Sequence, residues 1–148
     1  MQENMMFKIK GSMTNTLTKE NGDIETYFKD NIIVSTGFDF ICDAICNASQ
    51  TTKMSYIAIG TSATVAAISN TGLVTELIRQ AAVYAHTAGT QIFTLTTTFA
   101  PGVATGALTE AGVLNLASAG VLFDRVVFSV INKASGDTLV STFTFTLS

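Results

Sequence analysis

The sequence predicts a mainly β protein: an antiparallel β-sandwich with one short α-helix and an N-terminal β-hairpin arm. Three observations favour this fold class. The polar residues are largely Thr, Ser, Asn and Gly, which suit strands and turns. Several stretches alternate apolar and polar residues, as half-buried strands do. Turn sequences such as Asn21-Gly22 and Pro101-Gly102 separate these stretches at short intervals.

The chain has 148 residues, enough for one domain with a sizeable core. We divide it into an N-terminal arm over residues 1–30 and a β-sandwich domain over residues 31–148. Charged residues make up only 13% of the sequence, which is about half the usual share. A monomer that is free in solution usually carries more charge. The composition therefore indicates that copies of the chain or other proteins cover much of its surface.

The first 48 residues are predicted to form a hairpin and then the helix. Asn21-Gly22 favours a type I′ turn, because both central positions of that turn need positive φ. Ser35 or Thr36 is expected to cap a helix over residues 37–48, with Asp39 in its first turn. Apolar residues at the helical period predict its buried face: Phe38, Ile41, Cys42, Ile45 and Ala48.

The rest of the chain reads mostly as strands. Residues 54–60 form one predicted strand, and a loop of small residues follows over 62–72. Residues 73–85 are expected to contain a short turn and then a strand. The cleanest alternation is in residues 91–100, and it returns in residues 138–147. The side chains predicted to face inward in these two strands are Phe93, Leu95, Thr97, Phe99, Leu139, Phe143, Phe145 and Leu147.

Residues 108–131 are predicted to form two apolar strands joined by a flexible link. Each strand carries one charge among apolar neighbours, Glu110 in the first and Arg125 in the second. A buried charge is costly unless it is paired or well hydrogen-bonded. We therefore predict that Glu110 or Glu76 meets Arg125 as a structural charge pair. Arg79 is an alternative partner for these carboxylates.

Composition and segment lengths exclude several classes of partner. The net charge is −3 and the chain has no basic block, which argues against nucleic acid as a partner. No apolar run reaches the roughly 18 residues of a membrane helix, which argues against membrane insertion. The N-terminus shows no apolar core of a signal peptide. These observations predict a protein that is made in a cytoplasm and kept there until it is assembled.

The motifs that resemble active or metal sites are weak. His86 is the only histidine, and no nucleophile motif accompanies it. Cys42 and Cys46 are interpreted as small buried apolar residues, because a metal site would need further ligands. Glu76 and Glu110 lack the aromatic platform expected beside the paired carboxylates of a glycosidase. The sequence thus predicts no catalytic residue, no cofactor and no metal.

An ordered set of short motifs gives a family resemblance. The segments are residues 31–37 (NIIVSTG), 56–61 (YIAIGT), 71–76 (TGLVTE), 108–114 (LTEAGVL), 122–128 (LFDRVVF) and 133–138 (KASGDT). In this order they resemble the small tail-fibre, baseplate and related structural proteins of tailed bacteriophages, over about residues 31–147. Two departures are Ser62, where a second glycine is expected, and Asp124, which replaces a small residue before Arg125.

The resemblance implies a virion structural protein without enzymatic activity, built from symmetric copies and contacting other virion proteins. A tail, baseplate, neck or fibre-attachment position is the first expectation. A capsid decoration (cement) or head-fibre protein is the alternative. A receptor- or carbohydrate-binding module is a further alternative, although the Ala, Ser, Thr and Gly of the predicted loops do not favour it. Glu76, Glu110 and Arg125 receive only a structural role from the resemblance.

Overall fold

The structure is a computed structural model that describes residues 7–47, 49 and 51–148. Over these residues the chain forms nine strands and one helix, in this order: β1 (Ile9–Thr18), β2 (Ile24–Ile33), α1 (Ser35–Cys46), β3 (Tyr56–Gly60), β4 (Glu76–Ala81), β5 (Val83–His86), β6 (Ile92–Phe99), β7 (Gly106–Leu114), β8 (Leu122–Lys133) and β9 (Thr138–Leu147). All strand pairs are antiparallel. The predicted mainly β, antiparallel fold with a short helix is confirmed.

The nine strands belong to one curled sheet in the order β4-β3-β7-β8-β2-β1-β9-β6-β5. β4 and β5 lie at opposite ends of this order, yet only Ala82 separates them along the chain. The Ala82 N–H donates to the Ser55 carbonyl at 2.8 Å, and the Thr97 hydroxyl donates to the Ala81 carbonyl at 2.8 Å. The sheet is therefore nearly closed and barrel-like, which differs in detail from the predicted sandwich of two separate sheets.

Apolar side chains from both halves of the curled sheet meet in one core. The alternation predicted for β6 and β9 is present, since Leu95 and Phe99 are buried, as are Leu139, Phe143 and Phe145. The opposite half contributes β3, β7 and β8, and its fully buried core side chains are Ile57, Ile59, Leu108, Ala111, Val113 and Ile131. Burial of this surface from both sides is the main stabilising contribution to the fold.

The N-terminal hairpin is present as β1 and β2, but the type of its turn differs from the prediction. Only Gly22 of the Asn21-Gly22 pair has positive φ, at 92°. The hairpin therefore has a three-residue loop whose last residue, Gly22, is left-handed. It does not have the two-residue type I′ turn. β1 pairs with both β2 and β9, and its Met13 and Leu17 lie in the core.

The helix begins earlier than predicted and buries a different side. Its N-cap is Val34, and the Thr36 hydroxyl donates instead to the Leu122 carbonyl at 2.6 Å. Gly37 is the buried residue of the helix. It lies so close to β8 that a side chain there would collide with the Phe123 carbonyl. Asp39 consequently lies beyond the first turn.

The predicted buried face of the helix is largely wrong. Phe38 and Ile45 are 44% and 73% exposed, and Cys42 and Cys46 are free and exposed. Of the predicted residues, Ile41 does pack against the core, and it is joined there by Phe40, which was not predicted. Because the first turn of α1 lies close against β8, the helix is rotated about its axis relative to the predicted orientation. The predicted end of the helix at Ala48 lies outside the described residues.

Candidate functional site

Glu110 and Arg125 occupy adjacent strands and lie on the side of the sheet that faces away from the core. Ala111 and Val113 of β7 point into the core, so strand alternation places Glu110 on the opposite face. Val126 of β8 likewise points inward, which leaves Arg125 on the face that carries Glu110. The register of β7 and β8 therefore brings the two charges together.

The two side chains form a fully buried ion pair. Arg125 donates from Nη2 and Nε to Glu110 Oε2, at 2.8 and 3.0 Å, and both side chains are 0% exposed. The carboxylate also accepts the backbone N–H groups of Val74 at 3.0 Å and Thr75 at 2.6 Å. A buried carboxylate with this number of donors has its charge well compensated.

The remaining donors of Arg125 extend into the loop that covers the pair, residues 61–75. Nη2 donates to the Thr64 carbonyl at 2.9 Å, and Nη1 donates to Asn70 Oδ1 at 3.1 Å. Glu110 holds the end of the same loop through Val74 and Thr75. One buried ion pair thus holds the loop near both of its ends. It provides hydrogen-bond partners for the loop's backbone carbonyl and N–H groups, which would otherwise need water.

Glu76, the third residue predicted for this cluster, lies outside it. Its two carboxylate oxygens accept from Arg79 Nε and Nη2, each at 2.7 Å. Arg79 also donates from Nη1 to the carbonyls of Leu116 and Ala119, at 2.7 and 2.8 Å. The structure therefore brings Glu110 and Arg125 together, whereas Glu76 and Arg79 form a second pair that holds the link between β7 and β8.

Several exposed apolar side chains belong to the segments that these two ion pairs hold. We call the following five residues the apolar loop patch: Val65, Ile68, Val74, Leu77 and Leu116, which are between 40% and 81% exposed. The backbones of Val65 and Val74 bind the first ion pair, and the backbone of Leu116 binds the second. The same bonds that order these backbones therefore hold the apolar side chains outward.

Asp124 is a buried acid that the sequence analysis noted only as a departure from the family pattern. Its side chain is 0% exposed, and it accepts the Val113 N–H at 3.0 Å and the Asn31 side-chain amide. Burial raises the pKa of this carboxyl well above its ordinary value of 3.8, against the lowering effect of these two hydrogen bonds. Asp124 pairs with Val113, whose side chain lies in the core, so strand alternation turns the Asp124 side chain inward as well.

A cavity of about 660 Å³ opens between α1, the segment before β3 and the sheet. Its wall includes a connected series of aromatic rings, whose neighbouring centroids lie 5.1–6.3 Å apart: Tyr84, Phe93, Phe145, Phe123 and Phe40. No sequence motif predicted this cavity, because its wall combines residues from six separate strands and the helix.

The residues considered for chemistry are dispersed. His86 is exposed, and its Nδ1 lies 2.8 Å from the Ile92 carbonyl oxygen. Among the described residues, no group of three or more His, Cys, Asp or Glu side chains is placed to hold a metal ion. No helix of the described chain is long and apolar enough to cross a membrane.

Comparisons with protein-family models, with curated proteins and with solved structures found no match for this chain. The resemblance to bacteriophage tail proteins therefore stays a prediction from the sequence motifs.

Proposed function

We propose that the protein is a bacteriophage virion structural protein that assembles as symmetric copies in a tail, baseplate, neck or fibre-attachment position. The observation that carries the proposal is the apolar loop patch. Its partners would be other copies of this chain and neighbouring virion proteins, and its role would need neither a cofactor nor catalysis. The virion would be its final location, after synthesis in the host cytoplasm.

Exposure of the apolar loop patch to water is unfavourable. Contiguous apolar surface on a soluble protein usually marks a contact with another protein. Here the backbones of Val65, Val74 and Leu116 are held by ion pairs, so little conformational entropy remains to be lost on association. The low share of charged residues, 13%, is consistent with a surface that is covered in the assembled state.

We also propose that the curled sheet is best described as a two-layer β-sandwich. The half with β1, β5, β6 and β9 faces the half with β3, β4, β7 and β8 across the core. In this description the apolar loop patch lies on the outside of the second layer. The first layer presents a threonine-rich outer face, and this contrast would give each copy two chemically different sides for assembly.

The first test is the oligomeric state of purified protein, measured by light scattering coupled to size exclusion. We expect wild type to form a closed oligomer, and Val65→Asp in the patch to shift it toward monomer. Val130→Asp is the matched control, because Val130 is an exposed valine outside the patch. A wild-type protein that stays monomeric at its highest soluble concentration would contradict assembly through the patch, as would equal effects of the two variants.

The second test is gold-tagged antibody labelling of purified phage particles, viewed by electron microscopy. Gold at the tail or at a single vertex would support the proposed position. Gold spread over the capsid would favour the decoration alternative. Absence of gold from intact particles, together with abundant protein in infected cells, would refute both positions.

A further inference from the structure

We propose that the cavity at the open end of the sheet binds a medium-chain fatty acid, with its hydrocarbon chain along the aromatic wall and its carboxylate at Lys53. The inference does not rest on the proposed assembly, because the cavity and the apolar loop patch share no residue. Three features of the cavity support it: its size, its apolar wall and the position of its polar groups.

The size and the apolar wall match an elongated apolar ligand. Ligand sites in proteins typically measure about 300–1,000 Å³ and are lined mainly by apolar and aromatic side chains. This cavity measures about 660 Å³. Phe93 and Phe145 stack at 5.1 Å, and Phe123 meets Phe145 edge-on at 5.2 Å, so the rings form one continuous surface. A nearly closed sheet with an open end is a common setting for a single small ligand.

Apart from the hydroxyl of Tyr84 at the rim, the polar side chains of the wall come from one short segment, residues 51–55. These side chains are Thr51, Lys53 and Ser55, and Lys53 is the one charged residue among the lining residues that the structure describes. The Thr51 hydroxyl oxygen is buried and has no hydrogen-bond partner among the described residues. A buried hydroxyl without a partner is costly, and a ligand carboxylate would satisfy it.

This arrangement selects for the charge of the ligand. A hydrocarbon chain against the aromatic rings would place a polar head beside Lys53, where an anion is attracted and a cation is repelled. Tyr84 is 62% exposed at the rim, so a ligand can enter from solvent beside β5. The chemical class that fits both the apolar wall and the single positive charge of the cavity is therefore a single-chain carboxylate amphiphile.

The test is isothermal titration of the full-length protein with dodecanoate below its micelle concentration. We expect one site per chain, with a dissociation constant on the order of 10–100 µM. Lys53→Gln should weaken binding by about fivefold, the range of a partly exposed ion pair. Lys10→Gln is the matched control, because Lys10 is exposed and does not line the cavity. Dodecyltrimethylammonium should bind more weakly than dodecanoate, since it carries the same chain and the opposite charge.

A second variant tests the location of the hydrocarbon chain. Ala44 lines the cavity from the exposed side of α1, so Ala44→Trp should narrow the cavity without disturbing the core, and binding should weaken by at least about tenfold. Near-ultraviolet circular dichroism of each variant checks that it is folded. Absence of binding to wild type, equal affinity for the two amphiphiles, or unfolding of the protein by dodecanoate would each overturn the inference.

Discussion

Arg125→Ala tests whether the buried ion pair determines the stability of the fold and the order of the loop. The substitution removes both hydrogen bonds to Glu110 and the bonds to Thr64 and Asn70. Glu110 would remain at a buried site with only backbone N–H donors from residues 74 and 75, and more weakly 62. The variant thus leaves a carboxylate without a cation, which is the costly way to break such a pair.

The expected magnitude follows from the burial of both partners. Removal of one member of a buried ion pair costs about 3–5 kcal/mol, and both side chains are 0% exposed here. For a domain of this size, each kcal/mol lowers the melting temperature by about 2–4 °C. We therefore expect Arg125→Ala to lower the melting temperature by about 6–20 °C. Replacement of both Glu110 and Arg125 by methionine should recover much of this loss, because no unpaired charge remains.

Urea unfolding followed by circular dichroism measures the effect, and hydrogen exchange at the amides of Val74 and Thr75 reports the loop. Lys19→Ala is the control, because the ion pair of Lys19 with Glu25 is solvent-exposed and should not contribute measurably. A free energy of unfolding for Arg125→Ala within about 1 kcal/mol of wild type would refute the reasoning. Unchanged exchange at both amides would show that the ion pair does not order the loop.

The remaining predictions concern Asp124 and Gly37. The folded state raises the pKa of Asp124 and so favours its protonated form; wild-type stability should fall as pH rises from the ordinary carboxyl range through the raised folded value. Asp124→Asn should therefore raise the urea midpoint more at about pH 8 than at about pH 5, and a variant less stable than wild type at the higher pH would contradict this. Gly37→Ala should destabilise the domain, because the added methyl group meets the Phe123 carbonyl. Thermal unfolding against Gly72→Ala, where nothing lies within 4 Å, checks the second prediction.

The parts of the fold that sequence predicts well depend on local patterns. Alternation in β6 and β9 gives the correct inward side chains, because a strand repeats every two residues whatever its partners. The face of α1 is different, because its orientation depends on one long-range contact. Gly37 allows the helix to approach Phe123 closely, and Phe40 and Ile41 then meet the core. This helix is apolar on most sides. Helical periodicity then gives the spacing of the apolar residues, but it does not indicate which of several apolar faces is buried.

The cavity and Asp124 depend on how strands pair, which the local sequence does not indicate. The aromatic rings of the wall come from residues 40–145, and their proximity depends on the order of strands in the sheet. Asp124 faces inward because it pairs with Val113 of β7, and this pairing depends on the register between two strands and not on the local sequence. Charge among apolar neighbours indicates that a residue needs a partner, yet it does not indicate on which face of the strand the partner lies.

The choice between Glu76 and Glu110 shows how register decides a site. Both glutamates follow a threonine, so the immediate sequence does not distinguish them as partners of Arg125. In the sheet, Gly60 lies opposite Glu110, and a side chain at Gly60 would collide with the Thr75 carbonyl of the covering loop. The missing side chain lets the loop lie close to β7, where its amides reach Glu110. Glu76 begins the strand that follows this loop and is carried to Arg79 instead.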